Sequence, residues 1–370
     1  MSKFISTALL LAGLTAHAQT PVTLKDAFQG IFRVGAAVNE SQFREQDARA
    51  LPIIKAQFNT ISPENVLKWE SVHPRADGYA FDGPDRYVAF GEKNGMFVIG
   101  HTLVWHSQTP RWVFQDDKGA PLDREALLKR MREHIMTVVG RYKGRIGGWD
   151  VVNEALNEDG TLRKSPWLNI IGDDYLVKAF EYAHEADPKA ELYYNDYSVE
   201  RPAKRDGAVA LIKKLQAAGV KVAAIGLQGH DKMEWPTVDE QDATITAFEK
   251  LGIKVNITEL DIDVLPPATQ QRGADVSLSI AAQEKLDPYK AGLPEAVQQA
   301  LAKRYADLFG VYLKHRGTIA RVTFWGVTDG DSWLNNWPVR GRTSYPLLFD
   351  RQGQGKAAFD AVVGLTKGAK

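Results

Sequence analysis

The chain has 370 residues, of which 44% are hydrophobic and 25% are charged, a composition typical of a globular protein. Lysine and arginine together number 46, as do aspartate and glutamate, so the formal net charge is zero. This balance gives no support for nucleic acid or an anionic membrane as the main partner. Because the sequence contains no cysteine, disulfides, thiolate catalysis and cysteine-bound zinc are excluded.

Residues 1–18 have the pattern of a secretory signal peptide. Lys3 precedes an apolar run, and a small-x-small triplet follows it. A buried N-terminal helix is the alternative interpretation. We predict cleavage between Ala18 and Gln19, which leaves 19–370 as one catalytic domain, exported to the periplasm or the cell exterior.

Eight short apolar runs alternate with segments of helical periodicity along the rest of the chain. The predicted strands are Phe32–Val38, Phe58–Ser62, Phe97–Val104, Gly147–Asn153, Glu191–Asn195, Ala223–Gln228, Lys254–Thr258 and Arg321–Val327. Asp123–Tyr142, Ala208–Leu215 and Ala300–Leu313 have the spacing of an apolar helix face. Strands that alternate with helices form parallel sheets, and eight such units predict a closed (β/α)8 TIM barrel as a single domain.

An open, doubly wound sheet is the alternative fold. That fold usually carries a glycine-rich phosphate turn, and the sequence has no G-x-G-x-x-G. Three helix-to-strand junctions share a glycine directly after the helix, at Gly95, Gly219 and Gly252, as a repeated unit would. The longest connection, from about Asp263 to Leu293, is predicted to form part of the substrate face.

Two glutamates, Glu154 and Glu259, each close a predicted strand. A barrel gathers the carboxyl ends of its strands around one mouth, where barrel enzymes have their active sites. Two carboxylates in that position are what cleavage of a glycosidic bond requires, one as an acid and one as a nucleophile or base. Taken singly, a glutamate at a strand end is more often a solvated rim charge or a salt-bridge partner than a catalytic group.

Three neighbours of these glutamates are candidates for supporting roles. The amide of Asn153, next to Glu154, is placed to hold a sugar 2-hydroxyl. His230 and Asp261 are placed to orient Glu259, although a structural pair is the alternative interpretation. Among the tryptophans, Trp105, Trp325 and Trp333 follow strand ends and are candidates for sugar contact, whereas four others are interpreted as core residues: Trp69, Trp112, Trp149 and Trp337.

A metal site is the rival interpretation of the histidines at strand ends, His101, His106 and His230. His101 and His106 are five residues apart and do not form an H-x-H pair. We therefore predict no metal and no cofactor.

Several motifs together resemble glycoside hydrolase family 10, the endo-β-1,4-xylanases. The segment Trp149–Ala155 and the segment Ile257–Asp261 are similar to the two catalytic signatures of that family. The other matching segments are Gly100–Gln108, Gly226–His230, Phe324–Asp329 with Ser332-Trp333, and Pro346–Asp350. The resemblance runs from about Leu24 to near Gly364 and implies endo-hydrolysis of β-1,4-xylosidic bonds in xylan and xylo-oligosaccharides.

The resemblance also implies a role for each site residue. Glu154 is the expected acid/base and Glu259 the expected nucleophile of a retaining mechanism, with carboxyl groups roughly 5–5.5 Å apart. Asn153 is expected to bind the 2-hydroxyl, and His230, supported by Asp261, to bond the nucleophile. The cleavage subsite is assigned to His101, Trp105, Gln228, Trp325 and Trp333, the neighbouring xylose to Glu64, Asn65, Lys68 and Gln108, and the leaving-group side to Tyr197.

Two alternatives remain open from the sequence. One is a related barrel glycosidase that prefers glucan or short oligosaccharides, and the other is a non-catalytic sugar-binding barrel. The presence of both glutamates argues against the second. We expect a monomer with xylan as its partner, and neither nucleic acid nor a membrane.

Overall fold

The computed structural model describes residues 22–267 and 285–368. The predicted signal peptide and most of the long connection after Asp263 lie outside these residues. Within the described ranges, no helix is both long enough and apolar enough to cross a membrane.

Eight parallel strands close into a barrel. In chain order they are β1 Arg33–Val38, β2 Thr60–Pro63, β3 Phe97–Trp105, β4 Gly148–Asn153, β5 Glu191–Asp196, β6 Ala224–Leu227, β7 Lys254–Asp263 and β8 Ile319–Phe324. Each strand pairs with the next, and β8 pairs with β1, so the sheet has no open edge. The predicted (β/α)8 barrel is confirmed, and the open sheet is excluded.

Helices follow the strands and pack on the outside of the barrel. They are α1 Leu24–Ala27, α2 Glu40–Phe43, α3 Ala50–Gln57, α4 Trp69–Val72, α5 Asp82–Lys93, α6 Arg124–Arg141, α7 Pro166–Ile171, α8 Tyr175–Ala186, α9 Pro202–Ala217, α10 Val238–Glu249, α11 Glu295–Lys314 and α12 Ala357–Gly364. Short 3₁₀ helices occupy Arg111–Phe114, Trp333–Asn335 and Leu365–Gly368. The three predicted helices correspond to α6, α9 and α11.

The junction glycines have the backbone conformation that the sequence predicts for them. Gly95, Gly219 and Gly252 have φ angles of 63°, 78° and 71°, the left-handed region that a helix C-terminus favours. Inside the barrel a different constraint acts at Gly100, where a Cβ would lie 2.0 Å from the ring of Trp149. Only glycine leaves room for this buried indole against the neighbouring strand.

Two strand boundaries differ from the prediction by more than two residues. A short strand, His230–Lys232, continues β6 past Gly229 and pairs with Asp261–Asp263, which extends β7 to Asp263. Glu259 therefore lies within β7 and not at its end. This pairing holds His230–Lys232 extended, although the side chains of these polar residues do not have the alternating pattern of a strand. β8 begins at Ile319 and ends at Phe324, three residues earlier than predicted.

Candidate active site

A cleft of about 860 Å³ opens at the carboxyl ends of the strands. Its lining includes residues from seven strand ends or the loops that follow them. They are Glu64, Asn65, Lys68, His101, Trp105, Ser107, Gln108, Asn153, Glu154, Tyr197, Ser198, Gln228, His230, Glu259, Trp325, Trp333 and Trp337. Every site residue predicted from the sequence is in this lining except Asp261, which is buried behind His230.

Glu259 is held as an anion deep in the cleft, with only 5% of its surface exposed. Its backbone N–H donates to the carbonyl of Gln228 (2.7 Å), so the neighbouring strand fixes its position. Asn195 Nδ2 donates to one carboxylate oxygen (2.8 Å), and His230 Nε2 lies 3.2 Å from the other. Burial alone would raise the pKa of Glu259, but hydrogen bonding by His230 and the neighbouring positive charge hold it below its ordinary value.

His230 lies between two carboxylates. Its Nδ1 is 3.0 Å from Asp261 Oδ1, and its Nε2 faces Glu259. Burial lowers the pKa of His230, but the charges and hydrogen bonds of Asp261 and Glu259 outweigh burial and raise the pKa to about 10. The ring is therefore an imidazolium at neutral pH and donates from both nitrogens. Trp333 Nε1 donates to the second oxygen of Asp261 (2.7 Å), which fixes the whole group.

Glu154 follows β4 directly, and its carboxylate is held by neutral donors. Trp105 Nε1 donates to Oε2 (2.8 Å), and Gln228 Nε2 donates to Oε1 (3.0 Å). His106 Nε2 lies 4.0 Å from the same carboxylate, beyond hydrogen-bond range. The backbone N–H of Glu154 donates to the carbonyl of Asn195 (2.9 Å), so β5 positions it as β6 positions Glu259.

Side-chain amides connect the two glutamates. The Asn153 amide lies 2.9 Å from Asn195 Nδ2, which also bonds Glu259, and 3.5 Å from Gln228 Nε2, which also bonds Glu154. Thr258 Oγ1 donates to Asn195 Oδ1 (2.7 Å), which fixes the orientation of that amide. The two carboxylates are thus set by one shared network, and each has a distinct set of donors.

A second polar group lines the cleft beside the glutamates. Lys68 Nζ donates to Asn65 Oδ1 (3.0 Å) and lies 5.3 Å from the centre of the Trp105 ring. Burial raises the pKa of Glu64 and lowers that of Lys68, although the charge of each opposes the shift of the other. Gln108, which also lines the cleft, donates from Nε2 to the carboxylate of Glu70 (2.9 Å).

The tryptophans lie where the sequence predicts them, with the exception of Trp337. Trp69 and Trp149 are buried in the core as expected, and Trp112 is partly buried. Trp105, Trp325 and Trp333 line the cleft as expected. The core interpretation of Trp337 is wrong, because this residue is 62% exposed and lines the cleft. It lies in the loop that follows the short helix Trp333–Asn335, which carries it clear of the core.

Sequence reasoning missed three buried or half-buried partners of the site. Asn195 bonds Glu259, Asp150 Oδ2 lies 2.9 Å from His101 Nδ1, and Arg163 Nε donates to the Glu154 carbonyl (3.0 Å). Asn195 stands at a predicted strand end, so position alone was a signal for it. Nothing in the local sequence distinguishes Asp150 or Arg163.

The three histidines of the rival metal interpretation do not converge. His101 faces Asp150, His106 lies near Glu154, and His230 bonds the other carboxylates. Across 22–267 and 285–368, no three side chains of the His, Cys, Asp and Glu types form a group with metal-site geometry.

Comparison with known proteins gives one consistent family. The model of Glycosyl hydrolase family 10 matches residues 23–365. Endo-1,4-beta-xylanase A of Xylanibacter ruminicola is 44% identical, over 96% of this chain and 97% of that protein. Beta-1,4-xylanase of Dictyoglomus thermophilum is 41% identical, over 92% and 90%.

Solved structures agree in fold over nearly the whole chain. A family 10 endoxylanase retrieved from a sugarcane soil metagenome has a TM-score of 0.88 and 46% identity, covering 93% of this chain and 99% of its own. A xylanase of Paenibacillus barcinonensis, solved with a conduramine derivative, has a TM-score of 0.83 and 39% identity, covering 94% and 99%.

Proposed function

Since the chain belongs to glycosyl hydrolase family 10, we propose that it is an endo-1,4-β-xylanase that hydrolyses internal xylosidic bonds with retention of configuration. The observation that carries the mechanism is the contrast between two carboxylates in one cleft. Glu259 is bonded to an imidazolium and an amide that keep it ionised. The Glu154 carboxylate is bonded only to the neutral donors of Trp105 and Gln228. Groups with such different surroundings suit a nucleophile and an acid/base.

The first step forms a covalent intermediate. Glu154 gives its proton to the oxygen between two xylose units, and Glu259 attacks the anomeric carbon from the opposite face. The carbon–oxygen bond to the leaving sugar breaks as the ester bond to Glu259 forms. Asn153 bonds the 2-hydroxyl of the reacting xylose, a contact that strengthens as positive charge develops on the ring.

The second step releases the sugar. Glu154, now ionised, takes a proton from water as the water oxygen attacks the anomeric carbon. The ester bond breaks, and Glu259 leaves as a carboxylate. His230 donates to the departing anion, and Asp261 holds the ring in the orientation that this requires.

The rest of the cleft suits a neutral sugar chain. Indoles offer flat apolar faces, and Lys68, Glu64 and Asn65 offer donors and acceptors for hydroxyls next to the cleavage point. Tyr197 flanks the leaving-group side. We assign Gln108 to the neighbouring xylose and His101 to the cleavage subsite.

Two variants test the assignment of the glutamates. Glu154→Ala is expected to form the covalent intermediate from an aryl xylobioside with a good leaving group, but to release it slowly. Azide, which needs no general base, is expected to restore turnover and yield the β-glycosyl azide. Glu259→Gln is expected to abolish hydrolysis of all substrates. Unchanged xylan hydrolysis by either variant would contradict the mechanism.

Substrate class and export need separate measurements. Reducing ends released from xylan and from carboxymethylcellulose, at matched enzyme load, distinguish a xylanase from a glucan-preferring relative. Binding to xylan without hydrolysis would identify a non-catalytic barrel. N-terminal sequencing of the exported protein is expected to begin at Gln19, and size-exclusion chromatography with light scattering is expected to give the mass of one chain.

A further inference from the structure

Glu154 has a backbone conformation that non-glycine residues rarely adopt. Its φ angle is 56°, in the left-handed region. A residue held there costs about 1–3 kcal/mol and persists only when its surroundings fix it. The chain has this conformation directly after β4, in the segment 154–156, which we call the Glu154 turn, and the Glu154 side chain lines the cleft.

Two sets of hydrogen bonds fix this turn. On one side, β5 supplies acceptors for the amide groups, because Ala155 N donates to Tyr194 Oη (3.1 Å) and Leu156 N donates to Asp196 Oδ2 (3.4 Å). On the other side, a single guanidinium supplies donors for the carbonyl groups. Arg163 Nε donates to the Glu154 carbonyl (3.0 Å), and its Nη2 donates to the Leu156 carbonyl (3.2 Å).

The same guanidinium reaches the other wall of the cleft. Arg163 Nη2 also donates to Tyr197 Oη (2.8 Å). The Tyr197 ring is fixed from its face as well, since Lys204 Nζ lies 3.4 Å from the ring centre. Arg163 itself is absent from the cleft lining, so any effect on the reaction must pass through the residues that it bonds.

We propose that Arg163 is a positioning residue for general acid–base catalysis. It holds the Glu154 turn and the Tyr197 phenol as one rigid unit, so that the proton donor keeps a fixed position relative to the leaving-group side. The planar guanidinium of an arginine bonds the Glu154 carbonyl, the Leu156 carbonyl and the Tyr197 hydroxyl at once, which a lysine ammonium does not. This inference rests on the proposed role of Glu154 as the acid/base.

The test is the dependence of rate on the leaving group. Arg163→Gln and Arg163→Lys are compared with wild type on aryl β-xylobiosides, from 2,4-dinitrophenyl, which departs without protonation, to phenyl, which requires it. We expect kcat/KM to fall about 10- to 100-fold for the phenyl substrate and for xylan, because misplacement of a catalytic group by about 1 Å costs about 10²-fold. For the dinitrophenyl substrate we expect kcat/KM to change less than about twofold.

The matched control is Arg130→Gln. Arg130 also donates to three backbone carbonyls, those of Trp112, Val113 and Gln115, but none of these three residues lines the cleft, whereas Arg163 bonds two that do. Its removal is expected to lower stability without any dependence on the leaving group. If Arg163→Gln does not fold, Arg163→Lys, which keeps the charge, gives the same readout.

The outcomes separate the two proposals. An equal loss on all substrates, or no loss, would overturn the role of Arg163. Glu154→Ala is measured in the same series. If it lacks the leaving-group dependence, the acid/base assignment fails; if it has the dependence and both Arg163 variants lack it, only the inference about Arg163 fails.

Discussion

Replacing Asp261 with asparagine separates the charge of this residue from its shape. Asp261 is almost fully buried, and its two oxygens accept from His230 and Trp333. An asparagine of the same shape keeps one oxygen for His230, but its NH2 replaces the oxygen that accepts from Trp333. The variant therefore loses the acceptor for Trp333 and the negative charge that favours the imidazolium. The pKa of His230, about 10 in the native protein, is therefore expected to fall.

The size of the fall follows from Coulomb's law. Opposite charges about 4 Å apart interact by about 4 kcal/mol at an effective dielectric constant of about 20. The His230 side chain is 22% exposed and keeps a neutral hydrogen bond, so we halve this value to about 2 kcal/mol. That corresponds to a fall of roughly 1.5 pKa units. In the variant, His230 therefore loses its proton, and Glu259 its charged donor, at a lower pH than in the native protein.

The sign for stability follows from the raised pKa of His230. Its protonation stabilises the fold fully below the ordinary value of 6.5, and this contribution is lost as pH rises through about 10. In Asp261→Asn this stabilising contribution is expected to disappear at a pH about 1.5 units lower. The assays are NMR titration of the His230 ring nitrogens and urea unfolding at a series of pH values.

Asp263→Asn is the matched control. Asp263 is a buried carboxylate two residues further along β7, and it pairs with Lys232 instead of His230. It is expected to leave the titration of His230 in place. If His230 titrates near 10 in Asp261→Asn, or near 6.5 in the native protein, the electrostatic account of the site is refuted.

Three further predictions concern residues around the cleft and the core. Trp337→Ala is expected to raise KM for xylan several-fold and leave kcat on an aryl xylobioside unchanged, with Trp337→Phe intermediate, as measured by steady-state kinetics. Burial lowers the pKa of His73 to about 4, so the unfolded chain binds a proton at this residue more readily than the folded protein does. As pH falls from 6.5 to 4, the native protein is therefore expected to lose about 3 kcal/mol of unfolding free energy, and His73→Gln is expected not to show this loss. Lys204→Met leaves the Asp196 carboxylate buried without its partner and is expected to cost about 3–5 kcal/mol at pH 8. The loss should be smaller at pH 5, because burial raises the pKa of Asp196 to about 6 and protonation removes the charge; denaturant melts at both pH values check this.

The barrel was predictable because its signals are local and repeated. Apolar periodicity and the junction glycines mark each unit, and closure follows from counting the units. The length of β7 was not predictable, since Asp261–Asp263 is extended by pairing with His230–Lys232, a contact that no local pattern encodes.

The candidate site also contains residues that were predictable from the sequence and residues that were not. The positions of Glu154 and Glu259 in the cleft were predictable because a charged residue directly after an apolar run stands out in the sequence. Arg163 and Asp150 were missed because each acts through a partner that is far away in sequence or bonded through the backbone. Trp337 was misread because composition does not distinguish a packed indole from an exposed one.

The backbone bonds of the two glutamates also bear on how product stereochemistry can be changed by engineering. Glu154 and Glu259 each donate a main-chain amide to the adjacent strand of a sheet that has no free edge. Such a ring does not widen by sliding one strand, so the gap between the carboxyl groups changes only through side-chain length. A glutamate-to-aspartate exchange withdraws a carboxyl group by about 1.5 Å. If the proposed retaining mechanism holds, inversion requires a gap of at least about 6.5 Å between the carboxyl groups, so we expect the stereochemical outcome to change only in whole methylene steps.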